Sequence, residues 1–473
     1  MDTLDKVKGL VENPPKEYRS APFWGWNDRL QKENLGEQIE GFKKAGMGGF
    51  FIHSREGLET EYLSTEWMED VKFCVDKARE NDLELWIYDE DKWPSGAAGG
   101  KVSRVNPAEF TARALTMECG KAGELAVPAK LSNEEERTVT GDSDSIMCGE
   151  NRSTDENFMS GRNGSEDLAV EETMETEFLQ GVYVIQTAAD GRFIKRMKEY
   201  LTYEEAAGAC GVDEEILLLR QEISGKSEWY NGLMPPDNLN PESVKTFLKL
   251  THEHYEEVFG GSFPKEVKGF FTDEPNCCDF FSVFHEGRPW IPWSIGFTEY
   301  FIEKRGYDPQ EKLPYLFFDG EGAEKIRHDY WKTVAQRFEE SYMKQVYEWC
   351  DKRGLRTTGH ILYENDLGYQ TRVCGAAMPQ LRYLHNPGID LLGAQTDEYL
   401  TVKQCASVAH QYERSMTISE AYGCTGWELD FSTQKWLGDW QFALGITRRC
   451  QHLALYSITG CRKRDYPPVF NYQ

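Results

Sequence analysis

The sequence predicts an α/β fold in which eight strand-and-helix units close into a (β/α)8 barrel, a TIM barrel, with a β-rich insertion after the third strand. Three observations carry this: short apolar runs ending in polar residues, helical patterns between them, and a count of eight runs. The runs are APFWGWND (21 to 28), GGFFIHSRE (48 to 56), LELWIYDED (83 to 91), VKGFFTDEP (267 to 275), LRTTGHILYE (355 to 364), IDLLGAQTDE (389 to 398), MTISEAYG (416 to 423) and HLALYSITG (452 to 460). A strand buried on both faces reads as a continuous apolar stretch, and its polar end marks the loop above a barrel.

Helices fill the intervals. Leu35, Ile39, Phe42 and Ala45 share one face at 3.6-residue spacing, as do Trp67, Val71, Cys74, Val75 and Ala78. Asn240 before Pro241 has the chemistry of an N-cap and first turn, and Val244, Phe247, Leu248 and His252 continue that face. His328 to Arg353 reads as a long amphipathic helix stopped by Gly354. Alternation of strand and helix implies a parallel sheet, and eight units favour closure. No Gly-x-Gly-x-x-Gly follows the first run, which argues against an open dinucleotide-binding sheet.

The rhythm breaks after Met117. A polar tract beginning LSNEEERTVTGDSDS reads as solvated; GVYVIQTAADGRFIKRMKEYLT then reads as two strands joined at Asp190 and Gly191, and EEILLLRQEISG as another. The expected organisation is strands one to three in 1–117, an inserted β-rich and polar segment in 118–235, and strands four to eight in 236–473.

Composition narrows the function. The 473 residues carry a formal net charge of −27, which opposes nucleic-acid backbones and anionic lipid. MDTLDKVKGLVENPPKEYRS has no basic segment leading into an apolar one, and no run reaches membrane-spanning length, so the expected compartment is the cytoplasm with no membrane partner. The twelve cysteines lack Cys-x-x-Cys spacing and read as reduced core thiols, which argues against structural zinc. A serine nucleophile elbow, a Walker loop and a His-Glu-x-x-His helix are missing, and the sequence requires no cofactor.

Strand ends are where a barrel places its chemistry, and here they are acidic: Asp89, Glu90 and Asp91, then Asp273 and Glu274, Glu364, Asp397 and Glu398, and Glu420. Glycosidic bond cleavage needs one carboxyl to protonate the leaving oxygen and a second to activate water or attack carbon. Strands four and seven lie roughly opposite in a closed ring, which pairs Glu274 with Glu420, with Asp273 beside them as a further catalytic candidate. The alternative for Asp273 and Glu274 is capping of the next helix or pairing with arginines. His53, Arg55 and His360 are candidates for binding sugar hydroxyls or holding a catalytic carboxylate, with structural polar roles as the alternative. Asp89, Asp91 and Glu364 join them as substrate-binding candidates. Aromatic rings stack on the C–H faces of sugars, and Trp24, Trp26, Trp93, Trp290, Trp293, Tyr363, Tyr422 and Trp427 are read as such positions.

The strings GGFFIHSREGL, LSTEWMEDVKFCVDKA, IYDEDKWPSGAAGG, FFTDEPN and ISEAYG resemble bacterial proteins similar to glycoside hydrolase family 106, the α-L-rhamnosidases. The resemblance spans nearly the whole chain outside the insertion. It implies a catalytic barrel, an inverting mechanism, a general acid Glu after strand four, a general base Glu in a Ser-Glu-Ala motif on strand seven, and calcium dependence. Those roles fall on Glu274 and Glu420, the latter within Ser419, Glu420 and Ala421. The expected partner is an oligosaccharide or other glycoside. Such proteins usually continue into β-sandwich domains, so this chain, ending at YPPVFNYQ, is expected to be shortened. Two further readings stay open on the sequence: a non-catalytic sugar-binding barrel, and a metal-dependent hydrolase built on Asp89, Glu90 and Asp91.

Overall fold

The computed structural model describes residues 3–125, 177–277, 288–463 and 465–470; most of the polar tract read as solvated lies outside them. The described strands are β1 (Phe23–Trp26), β2 (Gly49–Ser54), β3 (Glu84–Tyr88), β4 (Arg113–Gly120), β5 (Glu177–Thr187), β6 (Ile194–Tyr200), β7 (Glu215–Ile223), β8 (Val267–Asp273), β9 (Trp290–Trp293), β10 (Arg356–His360), β11 (Asn386–Leu391), β12 (Ile418–Ala421), β13 (Arg448–Gln451) and β14 (Ala454–Leu455). The chain divides into two compact units, one of Met1–Ala112, Gly225–Ser282 and Tyr330–Gln473, the other of Arg113–Ser224 and Val283–Asp329.

In the first unit nine parallel strands follow the order β13-β12-β11-β10-β8-β3-β2-β1-β14. Only His452 and Leu453 separate β13 from β14, and β14 pairs with β1 while β13 pairs with β12, so the two edges of the sheet meet in one short stretch and the barrel is nearly closed. Successive strand residues point to opposite faces, and one face makes the interior. Phe23, Phe51, Trp86, Tyr88, Phe271, Ile418, Cys450, Leu453 and Leu455 fill it as a single cluster. The outward face packs under helices: the Trp24 ring meets Phe42, and that of Trp26 meets Trp67. Both tryptophans are fully buried, which removes them from the sugar-contacting positions expected of them.

The helices follow their sequence signals. Ser64 caps Thr65–Glu80 by accepting from the Trp67 N–H, and the buried face is Trp67, Val71, Cys74, Val75 and Ala78 as the spacing requires. Asn240 caps Pro241–Leu248. The long helix read from His328 to Arg353 begins earlier, at Ala323, and a π turn at Glu339–Met343 interrupts it before Lys344–Asp351. At the N-terminal end of the barrel the buried Arg448 donates to Glu84 at 2.7 Å, joining β13 to β3.

The second unit is an antiparallel sheet, β6-β5-β7-β4-β9. β5, β6 and β7 match the strands read from the sequence. β4 and β9 do not: β4 begins before the expected insertion, and Trp290 and Trp293 lie in β9, not on a loop above the barrel. Leu179, Val182, Val184, Ala206, Ile216 and Leu218 form the core of this unit. Among the described residues no helix is long and apolar enough to cross a membrane, and the cysteines are free thiols, most of them buried.

Candidate active site

The site follows from the two-residue period of the interior strands. Two positions beyond the buried residues Phe51, Trp86, Phe271, Thr358 and Ile418 stand His53, Tyr88, Asp273, His360 and Glu420, which therefore share the interior direction at the C-terminal ends. Register sets them side by side: Asp273 of β8 pairs with His360 of β10, and Asp390 of β11 pairs with Glu420 of β12. Gly359, at φ +143°, allows the close approach of β10 to β8, since a Cβ there would lie 1.9 Å from the Thr272 carbonyl oxygen.

His360 is the centre of the arrangement. Its Nε2 lies 3.2 Å from Asp273 Oδ1, 3.5 Å from Glu420 Oε2, 3.8 Å from Glu274 Oε1 and 3.9 Å from Asp390 Oδ2. None of these approaches is a hydrogen bond: both His360 nitrogens, Glu420 Oε2 and Asp390 Oδ1 are buried without a hydrogen-bond partner. Glu274 follows Asp273 directly, and in extended backbone the two would face opposite ways. A left-handed backbone at Glu274, φ 45°, turns its carboxyl toward the same centre. Tyr363 and Tyr422 share this conformation at φ 57° and 80°. Non-glycine residues held there cost on the order of 1–2 kcal/mol each, and such strain gathers at functional sites.

Burial disfavours charge throughout the cluster. It raises the Asp273 carboxyl to about 6, against the Tyr88 O–H that donates to it at 2.6 Å and the Arg55 charge nearby. Burial first, and then neighbouring carboxylates, push Glu274, Asp390 and Glu420 well above the usual carboxylate range. The same burial lowers the His360 imidazole to about 3. The Trp93 indole N–H, donated to Glu274 Oε2 at 2.5 Å, favours the ionised form of that carboxylate.

Arg55 flanks the cluster. It donates to both oxygens of Asp465, at 2.8 and 2.9 Å, and to Nε2 of His53 and of His452, at 3.1 and 3.0 Å. His53 stacks on Tyr88 with ring centroids 3.6 Å apart. Burial and the Arg55 charge hold both histidines down, His452 to about 3.

The third strand end is built differently. Glu90 accepts five backbone N–H groups, from Asp91, Gly96, Ala97, Ala98 and Gly99, and so folds the loop PSGAAGG around one carboxylate. Asp89 accepts from Ser95, and Asp91 from Ser54 and Asn231. The distinctive string IYDEDKWPSGAAGG is thus the anchoring of a loop that carries Trp93. Glu364 accepts from the backbone N–H groups of Ile361 and Asp390, which ties the loop after β10 to β11. Asp397 and Glu398 lie well past the end of β11, in a turn held by Gln395. Tyr422 is buried and donates to the Gln434 carbonyl, whereas Trp427 is 54% exposed.

Of the residues read from the sequence, the geometry gathers Asp273, Glu274, His360 and Glu420 around one point, with Arg55, His53 and Trp93 in contact with them or their neighbours. Asp390, Tyr88, His452 and Asp465 were missed. An acidic residue two positions after Gly388 in the run NPGIDL was the available signal for Asp390; the run was started too late to show its alternation.

No family model matches the chain. A curated relative from Formosa agariphila named "Putative beta-glucuronidase" is 21% identical over 465 residues, 95% of this chain and 38% of its own length. A solved structure of a rhamnosidase from Novosphingobium sp. PP1Y superposes with a TM-score of 0.62 at 15% identity, over 95% of this chain and 56% of the other. The second likeness is one of fold, and in both cases this chain spans less than two thirds of the protein it matches.

Proposed function

We propose that this chain hydrolyses a glycosidic bond, with Glu274 as general acid and Glu420 as general base, acting by inversion as an α-L-rhamnosidase-like enzyme. The observation that carries the reading is the convergence of these two largely buried carboxyls, from the end of β8 and from β12, on one imidazole nitrogen at the barrel mouth. Counting β13 and β14 as one interrupted strand makes the barrel eight-fold, and 118–235 its insertion. The names of the two relatives, each a glycosidase, support the reaction class.

The chemistry follows from the environment. A carboxyl with a raised pKa stays protonated near neutrality and gives its proton to the leaving oxygen, after which the Trp93 N–H stabilises the carboxylate formed. Glu420 must be ionised to take a proton from water; burial and the carboxyls of Asp390, Asp273 and Glu274 oppose that state, and the Arg55 charge offsets them only in part. Tyr88 holds Asp273 beside the acid, where its charge keeps the Glu274 proton in place.

A divalent cation belongs to the proposal, calcium by resemblance. Asp273, Glu274 and His360, and likewise His360, Asp390 and Glu420, bring one ligand atom each within 4.8 Å of one another. The carboxylate oxygens suit a hard cation and the imidazole is a softer addition; each trio includes one of the two glutamates given to proton transfer, so a cation held by either would share that carboxylate. Bound there, it would offset the negative charge and orient sugar hydroxyls.

The test is turnover of a panel of 4-nitrophenyl glycosides, with and without calcium, by the wild type and by Glu274→Gln and Glu420→Gln. Hydrolysis by the wild type, its loss in both variants and an inverted anomer by NMR are expected. Full activity in either variant would sink the assignment.

A further inference from the structure

Two aromatic pairs lead outward from Glu274. In one, Trp93, bonded to Glu274 through its N–H, meets Trp229 edge-on with ring centroids 5.8 Å apart. The other stands three residues past His360, whose Nε2 lies 3.8 Å from Glu274 Oε1: the Tyr363 ring lies 5.1 Å from that of Tyr369, inclined at 31°. The outer member of each pair, Trp229 and Tyr369, is 49% exposed. Local structure holds both: Ser227 caps the short turn that carries Trp229, and Asp366 accepts from the Tyr369 N–H.

The polar atoms of the tryptophan wall are already engaged. The Trp93 N–H is on Glu274, and the Trp229 N–H is donated to the Trp93 carbonyl. Nearby Asn231 donates to Asp91 and to the Gly99 carbonyl, and Lys92 pairs with Glu56. This wall offers ring faces and edges and little hydrogen-bonding capacity. A sugar in that place would leave hydroxyl groups poorly matched, whereas a flat aromatic ring gains from stacked or edge contacts.

A general acid stands on the side from which the leaving group departs. Resting on the assignment of Glu274 as that acid, we propose that Trp93 with Trp229, and Tyr363 with Tyr369, form the leaving-group subsite, and that it takes a planar aromatic alcohol of the phenol class. The reaction is then the hydrolysis of an aryl glycoside: water adds to the anomeric carbon, the carbon–oxygen bond to the phenol breaks, Glu274 supplies the phenol proton and Glu420 takes one from water.

The experiment compares a 4-nitrophenyl glycoside with the glycosyl fluoride of the same sugar, which has no aromatic leaving group, and with a disaccharide carrying the same glycone. In Trp229→Ala and in Tyr369→Ala the ratio of kcat/KM for the aryl glycoside to that for the fluoride should fall roughly five- to ten-fold, the scale of one aromatic contact. Tyr18→Ala, at an exposed tyrosine before β1, should leave the ratio unchanged. An unchanged ratio in both subsite variants overturns the proposal, and so does an equal or larger fall for the disaccharide. If the wild type turns over none of the three, the assignment of function has failed by itself. The subsite is then read by tryptophan fluorescence during titration with 4-nitrophenol. Saturable quenching that weakens in Trp229→Ala supports the subsite, and identical titrations in wild type and variant reject it.

Discussion

Replacing Trp93 with Phe isolates a single hydrogen atom of the proposed acid site. The indole N–H reaches Glu274 Oε2 at 2.5 Å, and the Glu274 side chain is only 12% exposed, so water substitutes poorly for the lost donor. A hydrogen bond to a charged group contributes about 1.5–3 kcal/mol, which corresponds to roughly one to two pKa units. The donor stabilises the carboxylate, so its removal raises a pKa that burial has already raised. The acid then stays protonated to higher pH but gives up its proton less readily. In Trp93→Phe the alkaline limb of the kcat/KM profile should move up by about one to two pH units. A substrate with a poor leaving group should slow by more than 4-nitrophenyl glycosides, whose leaving group needs little protonation. The assay is the pH dependence of kcat/KM for an alkyl and a nitrophenyl glycoside, with circular dichroism to establish that the variant is folded. An alkaline limb that stays in place or moves down refutes the role given to Glu274, because a merely structural indole would not set that limb.

Three other outcomes follow from the geometry. Asp465→Asn leaves the largely buried Arg55 charge without its carboxylate and should destabilise the fold by about 3 kcal/mol in urea unfolding. Arg55 holds Asp465 below its ordinary 3.8 despite burial, so its contribution is present above that value and is lost as pH falls through the lower folded pKa; the variant should lack this loss in acid. Gly359→Ala places a Cβ 1.9 Å from the Thr272 carbonyl oxygen at a left-handed φ, which should cost about 2–3 kcal/mol by the same measurement and displace His360. Dialysis against a chelator should lower the melting temperature and calcium should restore it, while an unchanged melting temperature would count against a cation in the carboxylate cluster around His360.

Much of the barrel was legible because a strand buried on both faces leaves a continuous apolar run. Six of the eight runs overlap the observed strands closely enough to point at their polar ends, while the sixth runs past β11 to Asp397 and Glu398. The eighth, 452 to 460, contains β14 but omits β13, which starts at Arg448, where a charged residue bonded to Glu84 hides the apolar pattern. Asp390 was missed because its run was begun at Ile389, without the Gly388 that shares its face. Position in the chain said that Asp89, Glu90 and Asp91 end a strand, but not that backbone N–H groups and hydroxyls already occupy them. The Asp465 contact with Arg55 joins residues 410 positions apart, beyond the reach of any local pattern. Trp24 and Trp26 read as mouth aromatics because the face a strand residue takes depends on a register that only the neighbouring strands reveal.

The unpartnered atoms around His360 set a direction for change over evolutionary time. Each of the four carboxyls resists ionisation next to the others, so exchanging one for an amide or an apolar residue relieves the rest. Drift under selection for folding alone would therefore erode this end of the barrel first, while the aromatic interior two residues below would persist. A lineage that kept the scaffold for binding could shed Asp390 or Glu420 and become sturdier by doing so. The presence of all of them in one chain marks a fold that carries local instability at its proposed site.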